Sequence, residues 1–205
     1  MSDSEPNHAE SGEPERLLEQ YLAGDTAAFE SLVGMYQERL YCFLERLTGD
    51  SHLAEDVFQT TFVKVADRAA DFDRRAAFST WLFRIARNSA IDEMRRRRRK
   101  LQFVDAGTDD WREKGGEDKS PTPLERLEGA ELQDLVRRAL AEIPEMQREV
   151  FLLKEEAELG FQEIGDLLGC GRETAKSRFR LAVEKLRGAL NRMGWKPVRK
   201  REAEE

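Results

Sequence analysis

Cysteine and histidine are scarce, two of each in 205 residues. Cys42 and Cys170 form no CxxC pair and no disulfide framework, which fits a reducing compartment. His8 and His52 have no cysteine neighbours to complete a zinc site, so no metal is expected. Long apolar runs are also missing. None approaches the roughly 18 residues that a membrane span needs, and residues 1–15 are acidic with no apolar h-region. The expectation is a cytoplasmic chain with no secretory signal and no direct membrane insertion. There is no GxxxxGK[ST] phosphate loop, no HExxH pair and no dense carboxylate cluster on a helix face. Asp92 and Glu93 are too sparse for a two-metal site. No enzymatic activity, cofactor or small-molecule substrate is therefore expected. Strand alternation is absent too, which leaves an all-α fold.

What is present is charge and helical periodicity. Apolar residues make up 40% of the chain, enough for compact helical cores. Lys and Arg number 34 against 41 Asp and Glu, a net charge of −7 that hides strong local differences. Residues 1–14 read as a disordered leader, and 193–205 as a tail. Residues 101–123 hold Gly107, Gly115, Gly116, Pro121 and Pro123 among six acids, the composition of a flexible linker. It separates two small helical domains, 15–100 and 124–192.

The first domain reads as four helices. Leu17, Leu18, Tyr21 and Leu22 mark a short one over about 15–23. Asp25 is placed to cap a second, over about 26–47, with Phe29, Leu32, Val33, Tyr36, Leu40, Phe43, Leu44 and Leu47 at three- and four-residue steps. A third, about 51–67, has Ala54, Phe58, Thr61, Phe62 and Val65 on one face and Asp56, Gln59, Thr60 and Lys64 opposite. Residues 68–78 read as a loop. Ser79 is the expected N-cap of a fourth helix, with Phe78 and Phe83 at hydrophobic-staple spacing. Leu82, Ile85, Ala86 and Ser89 would face the core. The second domain also reads as four helices, over about 124–141, 144–157, 161–168 and 172–191. Leu124, Leu127 and Leu132 are among the apolar positions of the first, and Pro144 suits the first turn of the second.

Two constellations point to nucleic acid. A short amphipathic helix, the turn Gly169-Cys170-Gly171 and a longer basic helix have the form of a helix-turn-helix. Its core would be Ile164, Leu167, Leu168, Phe179, Val183 and Leu186. The early turns of a recognition helix reach base edges. Arg172, Glu173, Lys176 and Arg180 would point outward there, Arg toward guanine and Glu toward the cytosine amine. Residues 172–200 hold ten basic side chains against two acidic ones, a phosphate-binding footprint within an acidic protein. The second constellation is the fourth helix and its tail, which ends in six consecutive cations, Arg95 to Lys100. Cations complement a helix C-terminus, but six together repel one another unless a polyanion intervenes. The preceding segment, Phe72-Asp73-Arg74-Arg75-Ala76-Ala77-Phe78-Ser79-Thr80-Trp81, mixes rings and cations in a way that suits unstacked single-stranded bases. Phe78 and Trp81 also suit packing.

Four stretches in order resemble the extracytoplasmic-function (group 4) sigma factors of bacterial RNA polymerase, within the sigma-70 family. Ala54 to Gln59 is similar to region 2.2, and Phe78 to Asn88 to regions 2.3 and 2.4. Leu140 to Pro144 with Arg148 to Phe151 is similar to region 4.1, and Phe161 to Arg178 to region 4.2. The resemblance covers about residues 15–192. It implies that Asp56 and Gln59, with Thr60 and Lys64, grip the β′ clamp helices of core polymerase, while region 4 meets the β flap. It implies that Phe72, Arg74, Arg75, Ser79 and Asn88 hold a flipped base of the −10 element. Arg84, Arg87, Arg95 and Arg96 would bind nearby phosphates. Arg172, Glu173, Lys176, Ser177, Arg178 and Arg180 would read the −35 duplex. The linker would thread the RNA channel, and an anti-sigma factor is an expected partner. Gly165 departs from the motif's usual alanine and costs about 1 kcal/mol within a helix; Ala175 stands where valine is more common. Neither an autoinhibitory first region nor an added C-terminal sensor domain is expected.

The other reading is a helix-turn-helix regulator that binds duplex DNA without polymerase. Such proteins pair the motif with an α/β receiver or ligand domain, and no such pattern precedes residue 124.

Overall fold

The computed structural model describes residues 12–73, 76–104 and 123–195. The expected leader up to residue 11, most of the linker (105–122) and the tail from 196 lie outside the described residues. Eight α-helices are seen among those described: α1 (Glu13–Leu22), α2 (Thr26–Thr48), α3 (Ser51–Asp67), α4 (Phe78–Val104), α5 (Pro123–Ala141), α6 (Glu145–Glu155), α7 (Phe161–Leu168) and α8 (Arg172–Arg192). A 3₁₀ turn, Ala69–Asp71, follows α3.

Capping chemistry sets the first boundaries. The Asp25 carboxylate accepts from the Ala27 and Ala28 amides at 3.0 and 3.4 Å and starts α2. Gly49 ends it in the left-handed conformation (φ 71°), where a side chain would be strained. Asp50 then caps α3 by accepting from the Leu53 amide at 2.9 Å. The apolar stripe of α2 becomes the centre of the first module, with Leu32, Leu40, Phe43 and Leu44 wholly buried. Phe43 meets Phe83 of α4 edge-on, centroids 5.3 Å apart. Burying a side chain of that size contributes roughly 1.5–3 kcal/mol. On α3, Ala54, Thr61, Phe62 and Val65 are buried as expected, whereas Phe58 is half-buried against Tyr41 and Phe62.

The start of α4 differs from expectation. Phe78 is already helical, and the Ala77 carbonyl accepts the first helical bond, from Trp81. Ser79 is therefore inside the first turn rather than at the N-cap. The orphan amide of Phe78 is satisfied from a distance: the Glu15 carboxylate of α1 accepts from it at 2.8 Å. Phe78 and Phe83 are both fully buried, but Phe78 packs against Tyr36, Phe72 and Trp81 rather than acting as a staple. Helix α4 also runs past the expected boundary at 100, to Val104.

In the second module α6, α7 and α8 enclose Val150, Leu152, Leu153, Leu159 and Ile164. Phe179 stacks on Phe151 (5.9 Å, 14°) and meets Phe161 edge-on. Pro144 lies just before α6, not within its first turn. Leu124 and Leu127 fall in α5, where the side chains lie outside the described residues. Leu167, Leu168, Val183 and Leu186 are only half-buried. The fully buried side chains of α8 are alanines seven apart, Ala175, Ala182 and Ala189. Small residues there let α8 lie close against its neighbours. The two modules also touch one another, α2 against α6 and α4 against α7.

Candidate nucleic-acid interface

The helix-turn-helix is built on a close backbone approach. The Cys170 amide donates to the Gly165 carbonyl at 2.8 Å, and Gly169 takes the left-handed conformation (φ 65°). A Cβ added at Gly165 would lie 2.7 Å from the Cys170 carbonyl oxygen and 3.2 Å from the Arg172 nitrogen. The absent methyl is thus a requirement of this turn, not only a helix cost. The Glu163 carboxylate accepts from the Gly160 amide at 2.7 Å and fixes the start of α7. Along the outer face of α8, Arg172, Glu173, Lys176, Ser177 and Arg180 are exposed. Arg178 differs from them: it is half-buried, and its Nη1 is shielded without a hydrogen-bond partner among the described residues.

On α4 the expected residues have different surroundings. Arg84, Asn88, Arg95 and Arg96 are exposed, whereas Ser79 and Arg87 are half-buried. Arg87 grips Glu149 of α6 with both arms of its guanidinium, Nε to Oε1 at 2.8 Å and Nη2 to Oε2 at 3.1 Å. Its remaining Nη1 donates to Asn88 at 3.4 Å. Phe72 is half-buried, its ring 5.2 Å from Trp81 and 5.9 Å from Phe78. It therefore belongs to an aromatic cluster at the foot of α4, and Trp81 packs there as well. Arg74 and Arg75 lie outside the described residues.

The cationic run does not break the helix, because acids answer part of it. Arg97 reaches Asp50 at 3.0 Å, Asp56 at 3.3 Å and Glu93 at 3.5 Å. Arg96 pairs with Glu93 at 2.7 Å. That hydrogen bond, with a smaller contribution from Arg97, holds the Glu93 carboxyl below the usual carboxylate range. Arg95, Arg98, Arg99 and Lys100 are exposed with no ion partner among the described residues. They form a cationic ridge open to phosphates.

Beside this ridge runs the polar face of α3. Asp56, Gln59 and Thr60 are exposed, and the Asp56 carboxylate pairs with Arg97. The Thr60 hydroxyl donates to the Asp56 carbonyl of its own helix. Lys64 is half-buried, and its Nζ donates to Ser89 Oγ across the α3–α4 groove at 2.8 Å. Val63, 60% exposed in the same groove, is an apolar element that periodicity passed over.

Three residues whose contacts shape these faces escaped the sequence reading. Arg97 was one cation among six, with nothing local to single it out. Glu15, which caps α4, acts 63 positions away. Glu149 did leave a trace, as an acid on the same helical face as Leu152 and Leu153, and it is only 6% exposed. Among the described residues no group of His, Cys, Asp and Glu could hold a metal ion, and no helix is long and apolar enough to cross a membrane.

Comparison with known proteins matches this arrangement module by module. The family model described as Sigma-70 region 2 matches residues 32–100, and Sigma-70, region 4 matches 133–186. The sigma factor SigW of Bacillus subtilis is 31% identical over 185 residues, covering 85% of this chain and 95% of that protein. Among solved structures, CnrH in complex with the cytosolic domain of CnrY shares the fold. Its TM-score is 0.64 at 24% identity, covering 87% of this chain and 97% of that one. So does RpoE of Bartonella quintana, solved with the anti-sigma factor NepR (TM-score 0.63, 24% identity, 80% and 96% covered). Both modules, in this order and along nearly the full length of such a relative, place the chain in one family: it belongs to the extracytoplasmic-function sigma factors of the sigma-70 family.

Proposed function

We propose that this sigma factor directs core RNA polymerase to a particular set of promoters through three surfaces. Asp56, Gln59, Thr60 and Lys64 on α3 dock on the β′ clamp helices, and the second module meets the β flap. The 72–80 segment, with Ser79, Arg84, Arg87, Asn88, Arg95 and Arg96 on α4, takes the opened −10 strand. Arg172, Glu173, Lys176, Ser177, Arg178 and Arg180 on α8 read the −35 duplex. Extracting a base from the stack costs a few kcal/mol, and stacking or a pocket returns about 1–3 kcal/mol per base. The protein supplies binding energy to strand separation and makes or breaks no covalent bond itself. It works in the cytoplasm beside the polymerase. A protein inhibitor is a further expected partner, since one solved neighbour was captured with an anti-sigma factor.

The observation that carries this reading is the pairing of two open cationic helical faces, α4 and α8, with an exposed polar face on α3 that no packing explains. The test is run-off transcription from genomic fragments with purified core polymerase, with start sites mapped. Addition of the protein is expected to create new, sequence-related start sites. Unchanged start sites would refute the assignment. Tight, specific duplex binding without polymerase would favour the independent-regulator reading.

A further inference from the structure

Helix α1 is seated firmly on the first module. Pro14 and Leu18, on either side of Glu15, are buried, and Tyr21 packs on Phe29 of α2 with ring centroids 4.7 Å apart. The Glu15 carboxylate is turned inward. Its Oε1 accepts from the Phe78 amide at 2.8 Å, and its Oε2 is shielded with no hydrogen-bond partner among the described residues. A carboxylate loses hydration in such a position. The bond to an orphan amide at the positive end of α4 offsets that loss. The same helix also touches the 69–71 turn, whose Ala69 is buried. Helix α1 therefore holds the chain both at that turn and at Phe78. Phe72 and Ser79 stand beside these two anchors: the Phe72 amide donates to the Ala69 carbonyl at 3.4 Å, and Ser79 follows Phe78 in the first turn of α4.

We propose that Glu15 is a positioning residue for −10 recognition: by anchoring the Phe78 amide it fixes Ser79 relative to Phe72, and so keeps the seat of the flipped base formed without touching DNA itself. The inference rests on the assignment of Phe72 and Ser79 to that base. The correct base draws its binding energy from a formed seat. Where the seat is formed only part of the time, affinity for that base falls by the same fraction. A wrong base gains nothing from the seat and loses nothing with it. Loss of the Glu15 bond therefore erodes discrimination at −10 rather than weakening every promoter alike.

The full-length variant Glu15→Ala tests this against Glu15→Gln, which keeps an acceptor oxygen for the Phe78 amide. A third variant, Glu13→Ala, makes the same change of charge at an exposed position of α1. Circular dichroism first establishes that each is folded. Run-off yield with core polymerase is then measured on a promoter mapped with the wild-type protein, and on derivatives changed singly within its −10 or −35 element. In Glu15→Ala the preference for the native −10 base is expected to fall about tenfold, in line with the loss of one hydrogen bond to a charged group. Preference at −35 stays as in the wild type, Glu15→Gln recovers most of the loss, and Glu13→Ala shows none. Where Glu15→Ala does not fold, Glu15→Asp, one methylene shorter, carries the same expectation. A −10 preference that survives in the folded variant overturns the inference, because the packing of Phe78 then suffices. An equal drop on every template, an equal loss in Glu13→Ala, or no recovery in Glu15→Gln overturns it as well. Wild-type start sites with unaltered −10 preference in the variants remove only this inference. A wild-type chain that creates no start sites refutes the function on which the inference rests.

Discussion

Gly165 and Cys170 show how little room the recognition turn allows. An alanine methyl at 165 would press on a backbone carbonyl, which cannot swing aside as a side chain can. The gain in helix propensity, about 1 kcal/mol, is then outweighed by overpacking that typically costs about 1–3 kcal/mol. Gly165→Ala is expected to lower stability in chemical denaturation; a more stable variant would show that the turn yields freely. Glu93 offers a second test. Its carboxyl is held below the ordinary range by Arg96, so its folded value lies below its unfolded one. Its contribution is then present above the unfolded carboxylate pKa and is lost as pH falls through the folded value. NMR titration should show Glu93 moving to higher pH in Arg96→Ala. An unshifted titration would mean that the pair does not hold in solution.

Among elements, α8 carries two demands on opposite faces. Its outer face presents Arg172, Lys176 and Arg180, while its inner face is reduced to Ala175, Ala182 and Ala189. Periodicity located this helix but named Phe179, Val183 and Leu186 as its core, because hydrophobicity scales rank large side chains above alanine. Closeness of approach, rather than hydrophobicity, decides which positions are sealed. Ala182→Leu should therefore destabilise the protein by about 1–3 kcal/mol, measured as a lowered denaturation midpoint with an unchanged slope. A neutral result would mean that α8 can stand off from its neighbours. On α4, the cationic run is compatible with a helix because Asp50, Asp56 and Glu93 converge on Arg96 and Arg97. The cations left over are those free to meet phosphate.

For the whole molecule, the two modules are packed together, while the proposed promoter recognition asks them to reach separate elements. Free protein is therefore expected to bind promoter duplex weakly, and polymerase to raise the affinity by fixing both modules in reach of their sites. Anisotropy titrations with and without core polymerase measure the difference. Equal affinities would contradict a requirement for docking.

Helix positions and charge asymmetry were legible in the residues themselves. Asp25, Gly49 and Asp50 cap helices through neighbours two to four positions away, and the ten cations of residues 172–200 need no fold to be counted. The exposed faces of α3 and α8 followed from the same periodicity. Local sequence could not show that Glu15 caps α4, that Arg97 gathers three acids, or that Arg87 closes on Glu149. Those partners lie 63, up to 47 and 62 positions apart. A helix fixes its neighbours through its own pitch, but charges from distant helices meet only where the chain's path through space brings them together.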